Sequence, residues 1–443
     1  MKKFPNAFVI VLFVILFSWI ITFLIPQGAY DRLIDPISQR TTVVPDSYTT
    51  VDAPTLSAFD ALMAIPKGIA GRAELITLIL LLGGCFYVIE KTGALHQGLN
   101  KLISVLSGNE LIALILITWI FLAAGFTIAM QEEIIAMTPI LLLFGRSLGY
   151  NTLTILGATY GSSVVGSAFS PFNPFGVLIA QKEAEIELLS GLPFRLVVLA
   201  IACVLWTLYI ARYAQRHRVE KEELVLKTRA LSLANKLIIG LLAFTFIIVT
   251  YGLISWGWAF NEMSACFFLL ALSCGLIAKF GLNKTTELYV DGFKDMVFAC
   301  IIIGLANSIS IILSEGQVID TVVYGLFSPL EGLPPALSAL LMMGSQCLLH
   351  FPIPSYSGQA ILTMPILTPL SDLIGLSRQV SVLAYQYGAI MMDVIVPTNG
   401  ALMAVIALGE VKYNQWIKFI LKPTFMILGV AVIAILTAVY VNY

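Results

Sequence analysis

Long apolar stretches alternate with short polar ones along most of this chain. A helix of about 20 apolar residues is long enough to cross the hydrocarbon core of a bilayer. On this basis we predict an all-α polytopic membrane protein. Its unbroken spans are predicted at 6–24, 75–93, 193–212, 235–255, 259–279, 296–313 and 419–441.

Two polar segments orient the spans. Residues 26–56 form an excursion that leads into a short amphipathic helix at 57–70. Residues 212–229 carry six Lys and Arg, and the positive-inside rule places such a loop in the cytoplasm. Lys2 and Lys3 predict that the N-terminus is cytoplasmic as well.

The apolar stretch at 151–182 is broken in its middle. The break, at 161–176, contains Pro171, Pro174 and four serines. Proline removes a backbone donor and disfavours helix in the preceding residue. Because irregular backbone at membrane depth must be buried in protein or line a wet cavity, the break predicts a binding site for a small polar solute or ion. The alternative is a simple proline kink.

The second half of the chain repeats the features of the first. A second broken stretch lies at 379–408, and its break reads VPTNGA (396–401). One offset of 226 residues relates Pro139 to Pro365, Gly149 to Gly375, Pro171 to Pro397 and Asn173 to Asn399.

An interrupted apolar region precedes each break, at 110–148 and at 336–373. If the first region crossed the membrane once, its flanking basic residues would lie on opposite sides. A re-entrant hairpin keeps Lys91, Lys101 and Arg146 together in the cytoplasm. The same count makes the second region a hairpin that enters from outside, so the halves are inverted. Inverted repeats with broken helices are typical of secondary transporters.

Polar side chains at the breaks and the hairpin tips are the candidate ligands. Ionisable groups at membrane depth are costly and usually functional. One glutamate of a pair at the first tip has the alternative role of capping a helix. His350 is either a proton relay or a structural hydrogen-bonding residue. The predicted substrate-binding residues are Gln131, Glu132, Glu133, Ser167, Ser170, Asn173, Ser355, Ser357, Gln359, Asp393, Thr398 and Asn399. A coupling Na⁺ is considered near Ser162, Ser163, Asn173 and Asn399.

The charges of these segments indicate the substrate class. Neither tip and neither break contains Lys or Arg, so the site is predicted to have fixed acids and no fixed base. Acids suit a cationic group, and helix N-termini suit a carboxylate. We therefore predict transport of an amino acid, especially a basic one. The alternative is a small carboxylate, such as a C4-dicarboxylate, carried with Na⁺ or H⁺.

Composition and motifs exclude other classes of function. The 443 residues are 59% hydrophobic and 12% charged, and the net charge of −1 argues against a nucleic-acid partner. No HExxH, GxSxG or Walker motif occurs in a suitable context, so we predict neither an enzyme nor an ATPase. A channel filter requires groups arranged around an axis, unlike two facing hairpins. Transport therefore depends on gradients or exchange, with no cofactor other than a coupling Na⁺ or H⁺.

Three motifs carry a family resemblance. They are MQEEIIAMTP (130–139), GSAFSPFNPF (166–175) and PSYSGQAILTMPILTPLSDLIGLSRQ (354–379). They resemble the YfcC-like and ArcD-like basic amino-acid antiporters of the ion transporter superfamily, which are related to the C4-dicarboxylate anaerobic carriers. The resemblance implies that superfamily's inverted-repeat fold, a homodimer in the bacterial inner membrane and elevator-type alternating access.

The resemblance also implies a division into a scaffold and a transport domain. Relatives often carry an acid where this chain has Ala389, an Asn where it has Asp393 and an Arg where it has Asn307. The predicted scaffold comprises helix 1–24, the segment 193–280 with its basic loop 212–234, and the last helix, 419–443. After the excursion and amphipathic helix (25–74), the transport domain comprises 75–190, with hairpin 110–148 and broken helix 151–182, and 296–412, with hairpin 336–373 and broken helix 379–408.

Overall fold

The structure is a computed structural model that describes residues 7–34, 41–44, 46–52, 55–95, 97–98, 109–221, 232–252, 256, 258–330 and 332–443. Several residues that orient the predicted topology lie outside this part of the chain. They are Lys2, Lys3, Lys101 and residues 222–231 of the basic loop.

The described chain is mainly helical. Six of its helical stretches are long and apolar enough to cross a membrane, which supports a multi-pass membrane protein. They are Ala73–Lys91, Glu110–Ile128, Leu192–Arg216, Phe260–Ile277, Met296–Glu315 and Tyr413–Tyr440. In chain order the helices are α1 (Ala7–Leu24), α2 (Ala58–Ala70), α3 (Ala73–Lys91), α4 (Glu110–Ile128), α5 (Glu132–Ser147), α6 (Thr152–Leu156), α7 (Ser162–Phe169), α8 (Val177–Glu183), α9 (Leu192–Arg216), α10 (Leu233–Tyr251), α11 (Phe260–Ile277), α12 (Gly281–Glu315), α13 (Ile319–Phe327), α14 (Pro335–Leu349), α15 (Tyr356–Leu373), α16 (Arg378–Met391), α17 (Gly400–Leu408) and α18 (Tyr413–Tyr440).

The polar excursion contains short β-strands, which the hydropathy pattern does not predict. Four strands form two antiparallel pairs: β1 (Gly28–Ala29) with β4 (Thr49–Thr50), and β2 (Arg32–Ile34) with β3 (Thr41–Val43). The excursion is held to α13, because Asp320 forms an ion pair with Arg32 at 2.8 Å and accepts a hydrogen bond from the Tyr30 backbone nitrogen at 3.0 Å.

Helix α2 begins with a reciprocal cap. The Ser57 hydroxyl accepts a hydrogen bond from the Asp60 backbone nitrogen at 3.2 Å, and the Asp60 carboxylate accepts one from the Ser57 nitrogen at 2.9 Å. These bonds hold the pKa of Asp60 below its usual value. The cap therefore fixes where α2 starts.

Both predicted broken helices are interrupted in the structure. The first consists of α6, one π-helical turn (Gly157–Gly161) and α7, and it resumes as α8 after an irregular segment at 170–176. The second consists of α16 and one 3₁₀ turn (Met392–Val394), and it resumes as α17 after an irregular segment at 395–399. The proline-containing segments are therefore true breaks of the helix.

The chain reverses direction between α4 and α5. Glu110, where α4 begins, forms an ion pair with Lys221 at 2.6 Å. Leu148, just after α5, accepts a hydrogen bond through its carbonyl from Arg218 Nη1 at 2.9 Å. Because both ends contact the same segment, 218–221, the turn at 129–131 lies far from them.

Helices α14 and α15 also run antiparallel. Gln346 Nε2 donates to Thr363 Oγ1 at 2.9 Å, and His350, further along α14, pairs with Gln359, earlier in α15, at 2.8 Å. Residue numbers therefore rise along α14 in the direction in which they fall along α15, as in an antiparallel pair.

The two halves also pack in corresponding ways. Helix α4 packs against α7, as α14 packs against α16. In addition, α5 packs against α17 of the other half, as α15 packs against α8.

Single side chains cross between the halves in the same manner. The Tyr160 hydroxyl donates to the Asp393 carbonyl at 3.2 Å, and Gln386 Nε2 donates to the Ser170 carbonyl at 2.5 Å. Tyr160 and Gln386 stand 226 residues apart, the offset predicted from the sequence.

Buried apolar side chains form two clusters. The smaller is made by α3, α10, α11 and the start of α12. The larger includes both broken helices together with α9 and α18, which pack against each other. The division into a scaffold and a transport domain stays a prediction.

Candidate functional site

The second break is held open by side chains of α18. Proline 397 cannot donate a backbone hydrogen bond, so the carbonyls before it need other partners. Trp416 Nε1 donates to the Val394 carbonyl at 2.8 Å, and the Tyr413 hydroxyl donates to the Ile395 carbonyl at 2.5 Å. Asn399 then caps α17. Its Oδ1 accepts from the backbone nitrogen at position 402 at 2.8 Å.

Asp393 occupies the centre of this break and is 1% exposed. His350 Nε2 lies 2.7 Å from Asp393 Oδ1, and Asn399 Nδ2 donates to the same oxygen. Gln131 Nε2 donates to Asp393 Oδ2 at 3.1 Å, as does the Tyr356 hydroxyl. Both hairpin tips therefore converge on one buried carboxyl group.

A cavity of about 340 Å³ opens beside Asp393. Its polar lining residues are Arg72, Gln131, Glu132, Glu133, Ser355, Tyr356, Ser357, Asp393 and Asn399. Its apolar lining residues are Ile128, Ala129, Phe175, Trp258, Ala259, Phe260, Met263 and Pro354. The cavity thus lies between the two tips, the second break and the start of α11.

A second, smaller cavity of about 60 Å³ shares Arg72 and Glu132 with the first and also contains Thr398. Among the residues that line these two cavities, Thr398 Oγ1 and Glu133 Oε2 are buried and have no hydrogen-bond partner in the described part of the chain. A buried polar atom without a partner is costly, so both atoms are suited to bind a ligand.

Seven predicted residues line the larger cavity, and Thr398 lines the smaller one. The seven are Gln131, Glu132, Glu133, Ser355, Ser357, Asp393 and Asn399. Gln359 is fully buried behind this wall. Its Nε2 donates to Gln346 Oε1 at 2.6 Å, and its Oε1 faces His350 Nδ1.

The hydroxyls of the first break are directed elsewhere. Ser167 Oγ donates to the Gly125 carbonyl at 3.0 Å, and Ser170 Oγ donates to the Phe126 carbonyl at 2.6 Å. Asn173 Oδ1 accepts from two following backbone nitrogens, whereas its buried Nδ2 has no partner among the described residues. Ser167 and Ser170 therefore hold the first break against α4.

The residues considered for Na⁺ make hydrogen bonds within the protein. Ser162 Oγ accepts from Trp206 Nε1 at 3.0 Å, and Ser163 Oγ donates to the Met130 carbonyl. Among the described residues, no cluster of His, Cys, Asp and Glu has the arrangement of a metal site. Sodium coupling at these positions stays a prediction.

The expectation that the site has no fixed base is wrong, because Arg72 lines both cavities. Arg72 lies in the α2–α3 connection, outside the breaks and tips. Its Nε donates to Asn307 Oδ1 at 3.2 Å, and Asn307 Nδ2 donates to the Gly68 carbonyl at 3.1 Å. A guanidinium therefore lies beside the position where the resemblance leads us to expect an arginine.

Two tyrosines of the site, Tyr356 and Tyr160, are not among the residues predicted from the sequence. Tyr356 directly contacts Asp393, and the Tyr160 hydroxyl, which reaches the Asp393 carbonyl, also lies 3.2 Å from Asn399 Oδ1. In the sequence Tyr356 lies between the predicted ligands Ser355 and Ser357, so its role in the site could have been predicted. Tyr160 precedes the first break but acts at the second, so only the folded chain reveals its role.

Comparisons with known proteins agree with the sequence resemblance. A protein of Haemophilus influenzae described as uncharacterized is 26% identical over 95% of this chain and 94% of its own length. The Escherichia coli protein called "Putative basic amino acid antiporter YfcC" is 28% identical over 94% of this chain and 92% of its own length.

Two solved transporter structures align with the chain, each at 15% sequence identity. The Alcanivorax borkumensis YdaH transporter aligns with a TM-score of 0.47 over 99% of both chains. MtrF of Neisseria gonorrhoeae aligns with a TM-score of 0.42 over 99% of this chain and 96% of its own.

The family itself follows from a match over nearly the whole chain. The family model described as "C4-dicarboxylate anaerobic carrier" (DcuC) matches residues 4–440. The predicted relationship to YfcC-like proteins and these carriers is thereby confirmed, and the chain belongs to the DcuC family of membrane carriers.

Proposed function

We propose that this protein is a secondary active transporter of amino acids that carry a cationic side chain. The observation that supports the proposal most directly is the charge of one cavity. Arg72 shares that cavity with Glu132 and Glu133, and Asp393 forms part of its wall. A basic amino acid has one carboxylate and two cationic groups, which suits a cavity with one base and an excess of acids.

The arrangement gives each group of such a solute a partner. Arg72 is suited to the α-carboxylate, since a guanidinium binds carboxylates in a two-pronged geometry. Glu132, Glu133 and Asp393 are the acids available to the two cationic groups. The aliphatic stem of the solute can pack on Phe175, Trp258 and Phe260, and the indole ring also attracts cations.

The size of the cavity supports a small solute. Its volume of about 340 Å³ lies at the lower end of the range usual for small-molecule pockets. A basic amino acid with its first waters is an occupant of that scale.

We propose elevator-type alternating access for this transport. The reversal of the chain at 129–131, the antiparallel α14–α15 pair and the matched packing of the halves support two re-entrant hairpins in an inverted repeat. The cavity also contacts α11, which belongs to the predicted scaffold. A homodimer in the bacterial inner membrane, with a cytoplasmic N-terminus, is part of the same proposal.

The competing function is ion-coupled transport of a small carboxylate. Its support is the description of the matching family and the presence of Arg72 in the cavity. A C4-dicarboxylate carries two negative charges, whereas the larger cavity offers one arginine beside three acids. That balance favours the basic amino acid.

Ligand-dependent thermal stabilisation of the purified protein tests the proposal. The panel is L-arginine, L-ornithine, L-lysine, succinate and fumarate, each with and without Na⁺. A ligand at 100 times its Kd adds about 2.7 kcal/mol to the free energy of unfolding, which a melting curve detects. We expect stabilisation by the three amino acids without a requirement for Na⁺.

Two variants make the result specific to the cavity. Glu133→Gln should abolish the stabilisation by arginine, and Glu287→Gln, an exposed acid on α12, should leave it unchanged. Stabilisation by succinate or fumarate alone would refute the proposal and support the carboxylate transporter.

A further inference from the structure

We propose that His350 and Asp393 form a proton-binding site that carries the coupling proton. The coupling of this proton to transport rests on the proposed function, whereas the protonation state of the pair is argued from its hydrogen bonds alone. Both side chains are buried, with His350 fully inaccessible to solvent, and Nε2 of the ring lies 2.7 Å from the carboxyl oxygen. The question is how many protons the pair holds.

A chain of hydrogen bonds fixes the proton on the far side of the ring. The Thr363 hydroxyl gives its only proton to the Gln359 carbonyl at 2.8 Å, so it must accept from Gln346 Nε2 at 2.9 Å. Gln346 Oε1 is therefore the acceptor for Gln359 Nε2, at 2.6 Å.

The orientation of Gln359 then decides the tautomer. With its Nε2 bonded to two oxygens of Gln346, its Oε1 faces His350 Nδ1 at 2.8 Å. An amide oxygen only accepts hydrogen bonds, so His350 Nδ1 carries a proton. The chain of bonds ends on a backbone carbonyl, and no amide in it can be reversed without placing two donors or two acceptors together.

The surroundings of Asp393 locate the second proton. A carboxylate offers about four lone-pair directions, and this one meets four donors. Asn399 and His350 face Oδ1, and Gln131 and Tyr356 face Oδ2. The orientation of the asparagine is fixed independently, because its own oxygen caps α17. Asn399, Gln131 and Tyr356 donate to Asp393 whatever the state of the ring, and three donors favour the ionised carboxylate. An unprotonated Nε2 would place two acceptors 2.7 Å apart, so His350 Nε2 donates to the carboxylate and the ring is an imidazolium.

Loss of this proton changes the charge of the cavity wall. When the Nε2–H bond breaks and the proton leaves to cavity water, the nitrogen lone pair faces the carboxylate. Asp393 then becomes an unbalanced anion that lines the larger cavity. A cationic group of the solute can replace the imidazolium as its partner, so proton and solute alternate at Asp393. This alternation is proton exchange.

Other ionisable side chains face the pair from neighbouring elements, and they set the field in which the proton is held. Glu132 comes from α5, Tyr160 from the π-helical turn, Tyr356 from α15 and Tyr385 from α16, whose hydroxyl donates to the Tyr356 carbonyl at 2.6 Å. Arg72 lines the same cavity as Asp393.

Nitrogen-15 NMR of His350 tests the proton site without any substrate. The chain has three histidines, so His96→Gln with His217→Gln leaves His350 as the single labelled ring. We expect both ring nitrogens to be protonated in this protein. After Asp393→Asn, we expect Nδ1 to keep its proton and Nε2 to lose it.

Two results would overturn the proton site. One is a neutral ring with its proton on Nε2. The other is a neutral ring beside an ionised Asp393, for which the infrared carboxyl band of the single-histidine protein provides the second reading. Because that protein keeps Asp393, the site remains testable even if Asp393→Asn does not fold.

Transport assays test the coupling separately. In vesicles of the purified protein, a pH gradient should accelerate L-arginine uptake, and His350→Asn should remove the acceleration while arginine still stabilises the protein. An unchanged acceleration in His350→Asn would refute the coupling. If arginine neither binds nor moves, the proposed substrate fails, and the NMR result still decides the proton site.

Discussion

At the first break Ser167 and Ser170 donate to backbone carbonyls of α4, whereas at the second break polar side chains surround a carboxylate. The offset of 226 residues relates Ser167 of the first to Asp393 of the second. Ser167 donates one hydrogen bond to the Gly125 carbonyl, and Asp393 accepts from donors on both hairpins. The interrupted helix of the first half is thus packed against α4 by its serine, whereas that of the second half presents an ionisable group to both hairpins.

The paired asparagines show the difference most directly. Asn399 Oδ1 caps α17, and Asn173 Oδ1 accepts hydrogen bonds from the backbone nitrogens of Phe175 and Gly176, just before α8. Asn399 Nδ2 then donates to Asp393, whereas Asn173 Nδ2 has no partner among the described residues. A shared backbone role therefore does not imply a shared functional role.

The largest contrast is expected between Asp393→Asn and Ser167→Ala. Breaking a buried charge pair costs about 3–5 kcal/mol, so Asp393→Asn should reduce arginine transport at least about 100-fold. Ser167→Ala loses one neutral hydrogen bond, worth about 1 kcal/mol of stability, and should transport normally. Uptake into vesicles, with melting curves as the folding control, measures both. Equal losses of transport would mean that both breaks bind the solute.

The next contrast is between Arg72, which lines the cavity, and Arg195, which does not. Arg72→Met should lower the affinity for arginine about 30-fold, because a hydrogen bond to a charged group contributes about 2 kcal/mol. Arg195, buried beside the first break, donates to Gln386 at 2.7 Å and Gln379 at 3.2 Å. Arg195→Met should therefore lower the melting temperature and leave the affinity unchanged. Calorimetric titration measures affinity, and the reverse pattern would contradict the site assignment.

A smaller contrast is expected between Asn399→Ala and Asn173→Ala. Each variant loses the hydrogen bonds that the asparagine Oδ1 accepts from backbone nitrogens, which costs about 1 kcal/mol. Asn399→Ala also loses a hydrogen bond to Asp393, so we expect transport to fall about tenfold in this variant alone. Parallel uptake and melting curves check the result. Equal transport by the two variants would show that the amide is not required at Asp393.

The smallest effect on transport is expected from glycines at close helix contacts, which occur in both halves and lie outside the cavity lining. A Cβ on Gly166 would overlap the Leu122 carbonyl, and one on Gly388 would overlap the Met343 carbonyl. Gly166→Ala and Gly388→Ala should each lower stability by about 1–3 kcal/mol. Gly344→Ala is the control, because nothing lies near its added carbon. Denaturation curves of the three variants measure these losses. Destabilisation of only one of Gly166→Ala and Gly388→Ala would contradict the repeat.

Much of the architecture could be predicted because membrane-spanning backbone must satisfy its own polar groups. The apolar stretches locate the helices, and the prolines near 171 and 397 locate breaks that the structure contains. Helix α12 is longer than its predicted span, since its first turns are polar and carry no hydropathy signal. The β-strands of the excursion were missed for a similar reason, because each strand has only two or three residues.

The sequence by itself determined a many-helix membrane protein with two matched breaks and acids at the first tip and second break, because hydropathy and proline act locally. Tertiary structure decided which of these groups meet. His350 pairs with an aspartate 43 residues away, and Arg72 meets Asn307 across 235 residues. Those contacts depend on how the hairpins and α12 pack, and local periodicity carries no information on contacts at such separations.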